Sequence, residues 1–351
     1  MILSKNQSDD LKQKIFFLKT LKKVGPQEIE EINSVIEDIN QLLSPTTRTN
    51  TNVYETIKQA NDSISKDYSF CQFISALWPD INSPQVKPYT TNFTKEQMID
   101  LTFDFFSSTS QKTSNLFRTI YQKDYQQMYI GTLTKDCKYP GYTFYQPYFK
   151  KNYISVYRAG KYPDITTLVH EAGHAIQNVV NYSPNTPPVL TEVVSMFLEI
   201  ASQEYFHSQG IKDSNIGNYN RFEGLNYYII CFKKIIYVFN YLCYVFRNPA
   251  CFDYPELIKG ELDKIYSEDE LKSFFTDTPY DRYIYIIGAI IACNLYAIYA
   301  QDKKAALSIL YYFINMDQSN HNNLYHFLYT HGLLNPQGYT AYQNMIRKRI
   351  L

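Results

Sequence analysis

The chain has 351 residues, 45% of them hydrophobic, which is enough to bury a sizeable core in one large domain or two lobes. Its 34 lysines and arginines balance 34 aspartates and glutamates, so the sequence predicts neither a nucleic acid nor a membrane as a partner. The six cysteines form no Cys-x-x-Cys pair, which favours buried thiols over a disulfide framework. The first residues lack the apolar run of a secretory signal, so we expect a cytoplasmic protein.

Amphipathic patterns predict helices from the start of the chain, within residues 7–43 and again over about Val53–Leu77. A connection punctuated by prolines follows at Pro79–Asn92. It marks the predicted division between an N-terminal helical region, residues 1–92, and a catalytic region, residues 93–351, although one continuous domain would fit the same pattern. The segment from Thr94 to Gln97 is typical of a capping box at a helix start.

Tyrosine, threonine and isoleucine runs over residues 125–160 favour a small sheet. Asp164 is the predicted N-cap of a helix over Ile165–Gln177, and a second helix is predicted from Thr191 to about His207. Two later apolar stretches, 225–246 and 283–300, approach the length of a membrane span, but polar and charged residues interrupt or adjoin them. We expect both to be core helices, which makes the fold mainly α with a small β element.

The most specific motif is His170-Glu171-Ala172-Gly173-His174, an H-E-x-x-H sequence within the first of these two helices. Residues i and i+4 share a helix face, so His170 and His174 can direct two imidazoles at one metal ion. Glu171 lies about 100° around the helix, near enough to reach a water bound to that ion. Two neutral imidazoles and a water suit one zinc ion. Of the remaining histidines, which include His321, His207 is predicted to be a surface or capping residue. His326 and His331 are predicted to be structural or exposed, with entry of one of them into the cleft as the alternative.

A catalytic zinc site needs a third protein ligand and an open fourth position. Glu192, near the start of the second helix, is the candidate, and Glu199 lies behind it on the same helical stripe. We expect Glu192 to bind the metal and Glu199 to orient a ligand imidazole. The alternative is two solvated carboxylates on an exposed face, but the apolar residues between Val193 and Ile200 argue against it.

The stretch from Asp164 to Ile176, followed by Glu192-Val-Val-Ser-x-x-x-Glu199, resembles the thimet oligopeptidase and oligoendopeptidase F family of zinc metallopeptidases. In that family one helix carries H-E-x-G-H, and the next carries the ligand glutamate, a serine and a second glutamate. A glycine-containing turn at Gly141 and a following strand are also similar, so the resemblance covers residues 130–205. It implies a helical zinc-peptidase fold, with the catalytic cleft between helical lobes and a small β element near the active site. Because family members are usually longer, this chain would be a short member.

The resemblance also implies that aromatic hydroxyls further along the chain stabilise an oxyanion. The matching segment, Thr278–Gly288, offers Tyr280, Tyr283 and Tyr285, of which Tyr283 is preferred. A tyrosine hydroxyl can donate a hydrogen bond to a developing oxyanion in a dry site. The alternative for each residue is a packing role with the hydroxyl at a wet edge, since the chain has 34 tyrosines.

Together these observations predict a zinc-dependent endopeptidase that hydrolyses peptide bonds, most often in oligopeptides. His170, His174 and Glu192 would hold one zinc ion, and Glu171 would assist the attack of the bound water. One alternative is a dedicated protease of a single folded protein. Others are zinc-dependent hydrolysis of a bond other than a peptide, and a catalytically inactive helical interaction protein that keeps a zinc site.

Overall fold

The structure is a computed structural model that describes residues 52–66, 68–77, 87–121, 128–132, 141–146, 151–182, 188–277, 283–315 and 321–350. The helices predicted within residues 7–43 lie outside the described residues. In the described part of the chain helices predominate and three strands form one small sheet, so the prediction of a mainly α fold is confirmed.

The elements are numbered in chain order over the described residues. The first helices are α1 (Val53–Lys66), α2 (Tyr68–Ser75), α3 (Lys95–Thr109) and α4 (Gln111–Tyr121). The strands β1 (Met128–Thr132), β2 (Gly141–Gln146) and β3 (Lys151–Arg158) come next. The later helices are α5 (Tyr162–Asn181), α6 (Pro188–Ser208), α7 (Asp213–Phe246), α8 (Pro255–Leu262), α9 (Glu268–Lys272), α10 (Tyr283–Gln301), α11 (Lys303–Asn315), α12 (His321–Thr330) and α13 (Pro336–Ile350). A 3-10 segment at Pro249–Asp253 and a π segment at Ser273–Asp277 complete them.

The chain divides into two compact units, each made of separate stretches of sequence. Among the described residues, the first unit holds 52–77, apart from residue 67, together with 224–277 and 283–286. The second unit holds the described residues of 87–223 and 287–350. Residue 92, the predicted boundary between the N-terminal and catalytic regions, falls inside the second unit. That boundary remains a prediction.

In the first unit, α1 packs against α8 and the 3-10 segment. Ile57 and Ile64 of α1 are buried, as are Ile258 and Leu262 of α8. The hydroxyl of Tyr54 donates a hydrogen bond to the Asp263 carboxylate at 2.5 Å. Apolar residues at helical spacing therefore form the core of this unit, as their pattern predicts.

In the second unit, the sheet has the order β1-β3-β2, which makes β2 an edge strand. β1 runs parallel to β3, with Ile130 opposite Val156. β2 runs antiparallel to β3, with Thr143 opposite Ile154. Helix α5 packs against β2 and β3 and also against α6. The sheet predicted within residues 125–160 therefore forms beside the helix that carries the H-E-x-x-H motif.

Helix ends follow the capping chemistry of the sequence at one site and depart from it at another. Thr94 and Gln97 form the predicted capping box, with Thr94 N to Gln97 Oε1 at 2.8 Å and Gln97 N to Thr94 Oγ1 at 3.2 Å. The N-cap predicted at Asp164 is wrong, because α5 begins at Tyr162. Asp164 lies in the first turn, where its carboxylate accepts hydrogen bonds from the N–H groups of Gly160 and Lys161. Proline is tolerated in a first helical turn, so Pro163 allows this earlier start.

Helices α7 and α10 are long and apolar enough to cross a membrane, by length and composition alone. Within the most apolar window of α10, 61% of the residues are buried inside the protein, compared with 44% for α7. Core helices of a globular protein pass the same test, and the burial of α10 favours that interpretation for it. Four of the five cysteines in the described ranges are also buried, as predicted.

Candidate active site

Helix α5 presents His170 and His174 on one face, as their spacing requires. Their Nε2 atoms lie 3.2 Å apart, and the side chains are 15% and 20% exposed. Both rings are thus largely buried, and the Nε2 atom of each ring faces the same point between them. A cation at that point would be reached by both imidazoles.

Glu192 on α6 brings a carboxylate to the same point. Its Oε2 lies 3.4 Å from His170 Nε2, and its Oε1 lies 3.8 Å from His174 Nε2. One ligand atom from each of the three residues falls within 4.8 Å of the others, so the group could hold a metal ion. Within the described part of the chain, Glu192 Oε2 is buried and accepts no hydrogen bond. A buried carboxylate oxygen without a donor is costly, and a bound cation would compensate it.

Two glycines allow the helices around this point to approach closely. A Cβ on Gly173 of α5 would lie 2.8 Å from the Cα of Ser195 on α6. A Cβ on Gly288 of α10 would lie 3.1 Å from the Cβ of Glu192. The absence of a side chain at Gly173 lets α6 carry Glu192 to the two imidazoles, which explains a glycine in the middle of a helix despite its poor helix propensity.

Glu199, the predicted orienting group, lies beside Nδ1 of the His170 imidazole. Its Oε2 is 3.2 Å from His170 Nδ1, and the residue is 4% exposed. Its Oε1 accepts a hydrogen bond from Arg221 Nη1 at 2.5 Å. His170 therefore has one ring nitrogen toward Glu199 and the other toward Glu192. The backbone of Thr191 lies within hydrogen-bonding reach of His174.

Glu171 projects from α5 toward the edge strand β2. The hydroxyl of Thr143 lies 2.6 Å from Glu171 Oε2 and 3.0 Å from the Glu171 carbonyl oxygen. A Cβ on Gly141 would lie 2.7 Å from Glu171 Oε1, so this glycine leaves room for the carboxylate. Glu171 is 7% exposed, and burial raises its pKa to about 7, against the lowering effects of His170 and Thr143. A carboxyl group with a pKa near neutrality can both accept and release a proton.

The electrostatics of the two histidines differ although their rings adjoin. Burial lowers the pKa of His174 to about 4, which favours a neutral imidazole. Burial also lowers the pKa of His170, but the carboxylates of Glu192 and Glu199 outweigh it and raise that pKa to about 10. Two buried carboxylates thus favour positive charge at this position, which a cation would provide equally well.

The tyrosines predicted for the oxyanion have different places in the structure. Tyr280 lies outside the described residues. Tyr283 and Tyr285 occupy the first turn of α10 and belong to the first compact unit, whereas the three metal-ligand candidates belong to the second. Tyr283 is 5% exposed, and its ring centroid lies 5.6 Å from that of Phe232. The roles of all three tyrosines remain predictions.

Three histidines outside the motif are placed largely as predicted. His326 and His331 are exposed, and His331 stacks on Phe327 with ring centroids 4.1 Å apart. His207 is partly exposed in the last turn of α6. The side chain of His321 lies outside the described part.

The sequence did not indicate Thr143 or Arg221 as parts of this cluster. Thr143 is 28 residues from Glu171, and Arg221 is 22 residues from Glu199. Neither residue belongs to a motif with fixed spacing. One weak signal was available for Thr143: it follows Gly141 by two residues in the segment predicted to be a strand, which places both on one face.

No protein-family model and no curated protein matches the chain. Among solved structures, it is similar to one described as a candidate oligoendopeptidase F from Bacillus anthracis strain Ames. That match has a TM-score of 0.54 and 14% identity, and it covers 99% of this chain and 75% of the other. PZ peptidase A with an inhibitor matches with a TM-score of 0.46 and 14% identity, over 92% of this chain and 66% of the other. A candidate peptidase from Chlamydophila abortus matches with a TM-score of 0.45 and 16% identity, over 98% of this chain and 62% of the other. The first similarity shows that the protein has the fold of that Bacillus anthracis structure.

Proposed function

We propose that the protein is a zinc-dependent endopeptidase that hydrolyses peptide bonds in oligopeptides. The observation that carries this proposal is the placement of His170, His174 and Glu192 around one point, with the Glu171 carboxylate beside them. The name of the Bacillus anthracis structure with the same fold, oligoendopeptidase F, supports a peptidase. The resemblance of the H-E-x-x-H and Glu192–Glu199 segments to that family is independent support.

The donor set and its spacing fit zinc. Zinc ligands lie about 2.0–2.1 Å from the ion, and in a tetrahedral site neighbouring ligands are then about 3.3 Å apart. The two imidazole Nε2 atoms lie 3.2 Å apart, and the Glu192 carboxylate approaches them through different oxygens, with Oε2 3.4 Å from His170 Nε2 and Oε1 3.8 Å from His174 Nε2. Two imidazole nitrogens and one carboxylate oxygen are also a ligand set found in catalytic zinc peptidases, where the fourth position stays open. A structural zinc site would use four protein ligands, and the described residues offer three here.

A zinc ion held by these residues would supply Lewis acidity, polarising the scissile carbonyl and lowering the pKa of a coordinated water. Glu171 then accepts the proton of the attacking water at its carboxylate and delivers it to the leaving amine nitrogen. Thr143 fixes the direction of that carboxylate from β2. Glu199 at His170 Nδ1 and the Thr191 backbone beside His174 leave Nε2 of each ring for the ion.

A tyrosine hydroxyl from the segment Tyr280–Tyr285 completes this proposal by donating a hydrogen bond to the developing oxyanion. Tyr283 is the preferred donor, with Tyr280 and Tyr285 as the other candidates. A tyrosine hydroxyl is suited to this task because it is neutral, has one proton to donate, and is held in place by a rigid ring.

The proposed substrates are oligopeptides rather than folded proteins. Digestion of a peptide library beside a set of folded proteins tests this part of the proposal. We expect peptides to be cut and folded proteins to resist. If one folded protein is cut and the library is not, the enzyme is a dedicated protease and the oligopeptide proposal fails.

Metal removal tests the proposal as a whole. We expect the purified protein to contain one zinc per chain, to lose peptide hydrolysis when a chelator strips the metal, and to regain it when zinc is added back. His174→Ala should abolish metal retention, whereas His207→Ala, on a histidine away from the ligand group, should leave it unchanged. Full hydrolysis after complete metal removal would overturn the proposal. Retained zinc without hydrolysis of any peptide would indicate a helical interaction protein instead.

A further inference from the structure

The Glu199 carboxylate stands between two nitrogen groups that come from different helices. One oxygen, Oε2, lies 3.2 Å from His170 Nδ1, and the other, Oε1, accepts a hydrogen bond from Arg221 Nη1. Arg221 is on α7, eight residues after that helix begins at Asp213. A continuous chain of contacts thus runs from the guanidinium through the carboxylate to the imidazole.

We propose that Arg221 is a positioning residue: it holds the Glu199 carboxylate so that Oε2 faces His170 Nδ1. This inference rests on the proposed metal site and adds to it a residue that touches none of the ligands. Arg221 acts through Glu199, and its effect should therefore appear as metal affinity.

Because Glu199 is buried, the position of its carboxylate depends on Arg221. The Glu199 side chain is 5% exposed, so water reaches little of its charge. A buried carboxylate whose partner is removed is strongly destabilised, and it responds by rotating toward another donor or taking up a proton. A guanidinium is always charged and has planar, directed donors, so it fixes one carboxylate oxygen and leaves the other for the imidazole.

The consequence for His170 follows from its two ring nitrogens. A fixed carboxylate at Nδ1 favours the proton on that nitrogen and leaves the lone pair at Nε2, where Glu192 and His174 converge. Without Arg221, the carboxylate can turn, and the imidazole loses part of this orientation. Outer groups of this kind typically change metal affinity by about 10–100-fold when altered.

A second ion pair on α6 provides a matched control. Arg349 binds Glu204 with Nη1 2.9 Å from Oε2, and its side chain is 26% exposed, the same as that of Arg221. The two glutamates are similarly buried, at 9% and 5%. The hydrogen bonds of Glu204 within the described chain go to Arg349, Tyr342 and Asn218 rather than to a metal-ligand candidate. Loss of either pair should cost similar stability, but only loss of Arg221 should weaken metal binding.

The experiment compares Arg221→Met with Arg349→Met in the full chain. Zinc affinity is measured by competition with a chromophoric chelator, melting temperature by calorimetry, and ligand geometry by the visible absorption of the cobalt(II)-substituted protein. We expect Arg221→Met to bind zinc about tenfold more weakly and to alter the cobalt spectrum. Arg349→Met should keep its zinc affinity within about twofold and an unchanged spectrum. Equal zinc affinities in the two variants would overturn the inference.

A double-mutant cycle with Glu199→Gln tests whether Arg221 acts through Glu199. The double variant should bind zinc no more weakly than Glu199→Gln alone, because the same arrangement is already lost. Additive losses would contradict the route through Glu199. If Arg221→Met does not fold, Arg221→Lys decides: weaker zinc binding at an unchanged melting temperature supports the inference, and unchanged zinc binding overturns it. A wild-type chain that binds no zinc would overturn both the proposed function and this inference. A wild-type chain that binds zinc as tightly as Arg221→Met would overturn this inference alone.

Discussion

The hydroxyl of Thr143 donates a 2.6 Å hydrogen bond to the carboxylate of Glu171, which ties the edge strand β2 to the helix that carries the H-E-x-x-H motif. The same hydroxyl lies 3.0 Å from the Glu171 carbonyl oxygen. A side chain on the sheet thus reaches both the backbone and the carboxylate of the proposed general base. The small sheet therefore contributes a side chain to the proposed active site as well as packing against the helix.

Thr143→Val should lower kcat by about tenfold, because valine keeps the shape of threonine but cannot donate to the Glu171 carboxylate. Zinc content should stay at the wild-type value, since Thr143 contacts no ligand. Thr143→Ser is the matched control and should retain most of the activity through its hydroxyl. A valine variant with wild-type kcat would show that the hydrogen bond does not position Glu171.

Gly173→Ala should destabilise the protein by about 1–3 kcal/mol, because the added methyl would meet the Ser195 backbone and force α5 and α6 apart. This loss would exceed the gain of about 1 kcal/mol that alanine has over glycine within a helix. Chemical denaturation measures both changes. Gly224→Ala on α7 is the control, because its added methyl would meet no described atom within 4 Å beyond its chain neighbours and its own helix backbone, and it should stabilise the protein. Stabilisation by both substitutions would contradict the close approach of α5 and α6.

Asp213→Asn should destabilise the protein by about 1–3 kcal/mol near neutral pH and have little effect in acid. The buried Asp213 carboxylate accepts hydrogen bonds from the N–H groups of Thr90 and Thr91 and from the Thr90 hydroxyl. Burial acts to raise the pKa of Asp213, but these hydrogen bonds outweigh it and hold the pKa below its ordinary value of 3.8. The unfolded chain therefore binds the proton more readily, so this stability is present above about pH 4 and is lost as the pH falls through the folded pKa.

Melting temperatures of the wild type and Asp213→Asn, measured from about pH 7 to about pH 3, check this prediction. The difference between the two proteins should shrink toward the acid end. Asp104→Asn, at an exposed position on α3, is the control for the loss of one surface carboxylate and should leave the melting temperature near that of the wild type at neutral pH. A constant difference across the range would contradict the assignment to the Asp213 carboxylate.

Of the tyrosine variants, Tyr283→Phe should lower kcat by about 10²–10³-fold with KM and zinc content unchanged, as expected for loss of one oxyanion donor. Tyr280→Phe and Tyr285→Phe are measured beside it, because the sequence leaves all three residues open. Tyr237→Phe, on an exposed tyrosine of α7, is the control. If all three variants keep kcat within about twofold of wild type, no tyrosine of this segment stabilises the oxyanion.

Local spacing predicted what depends on helix geometry and little beyond it. His170 could be paired with His174, and Glu192 with Glu199, because a helix of 3.6 residues per turn fixes which side chains share a face. The prediction that the two pairs meet rested on the resemblance to a peptidase family. Thr143 and Arg221 could not, because their contacts join segments that only tertiary packing brings together. The prediction of Asp164 as the N-cap of α5 is wrong for a related reason: an acidic residue stabilises a helix start from the first turn as well as from the N-cap, and the sequence does not separate the two.

The Glu171→Gln variant tests the central claim most directly, because it removes the proposed proton acceptor and keeps nearly the same shape. Zinc content and kcat for a peptide substrate are measured on the same folded preparation, with Glu192→Gln as the variant that should lose the metal. We predict that Glu171→Gln keeps one zinc per chain and loses about 10²–10⁴-fold in kcat. A zinc-loaded Glu171→Gln protein that hydrolyses peptide at the wild-type rate would contradict this account.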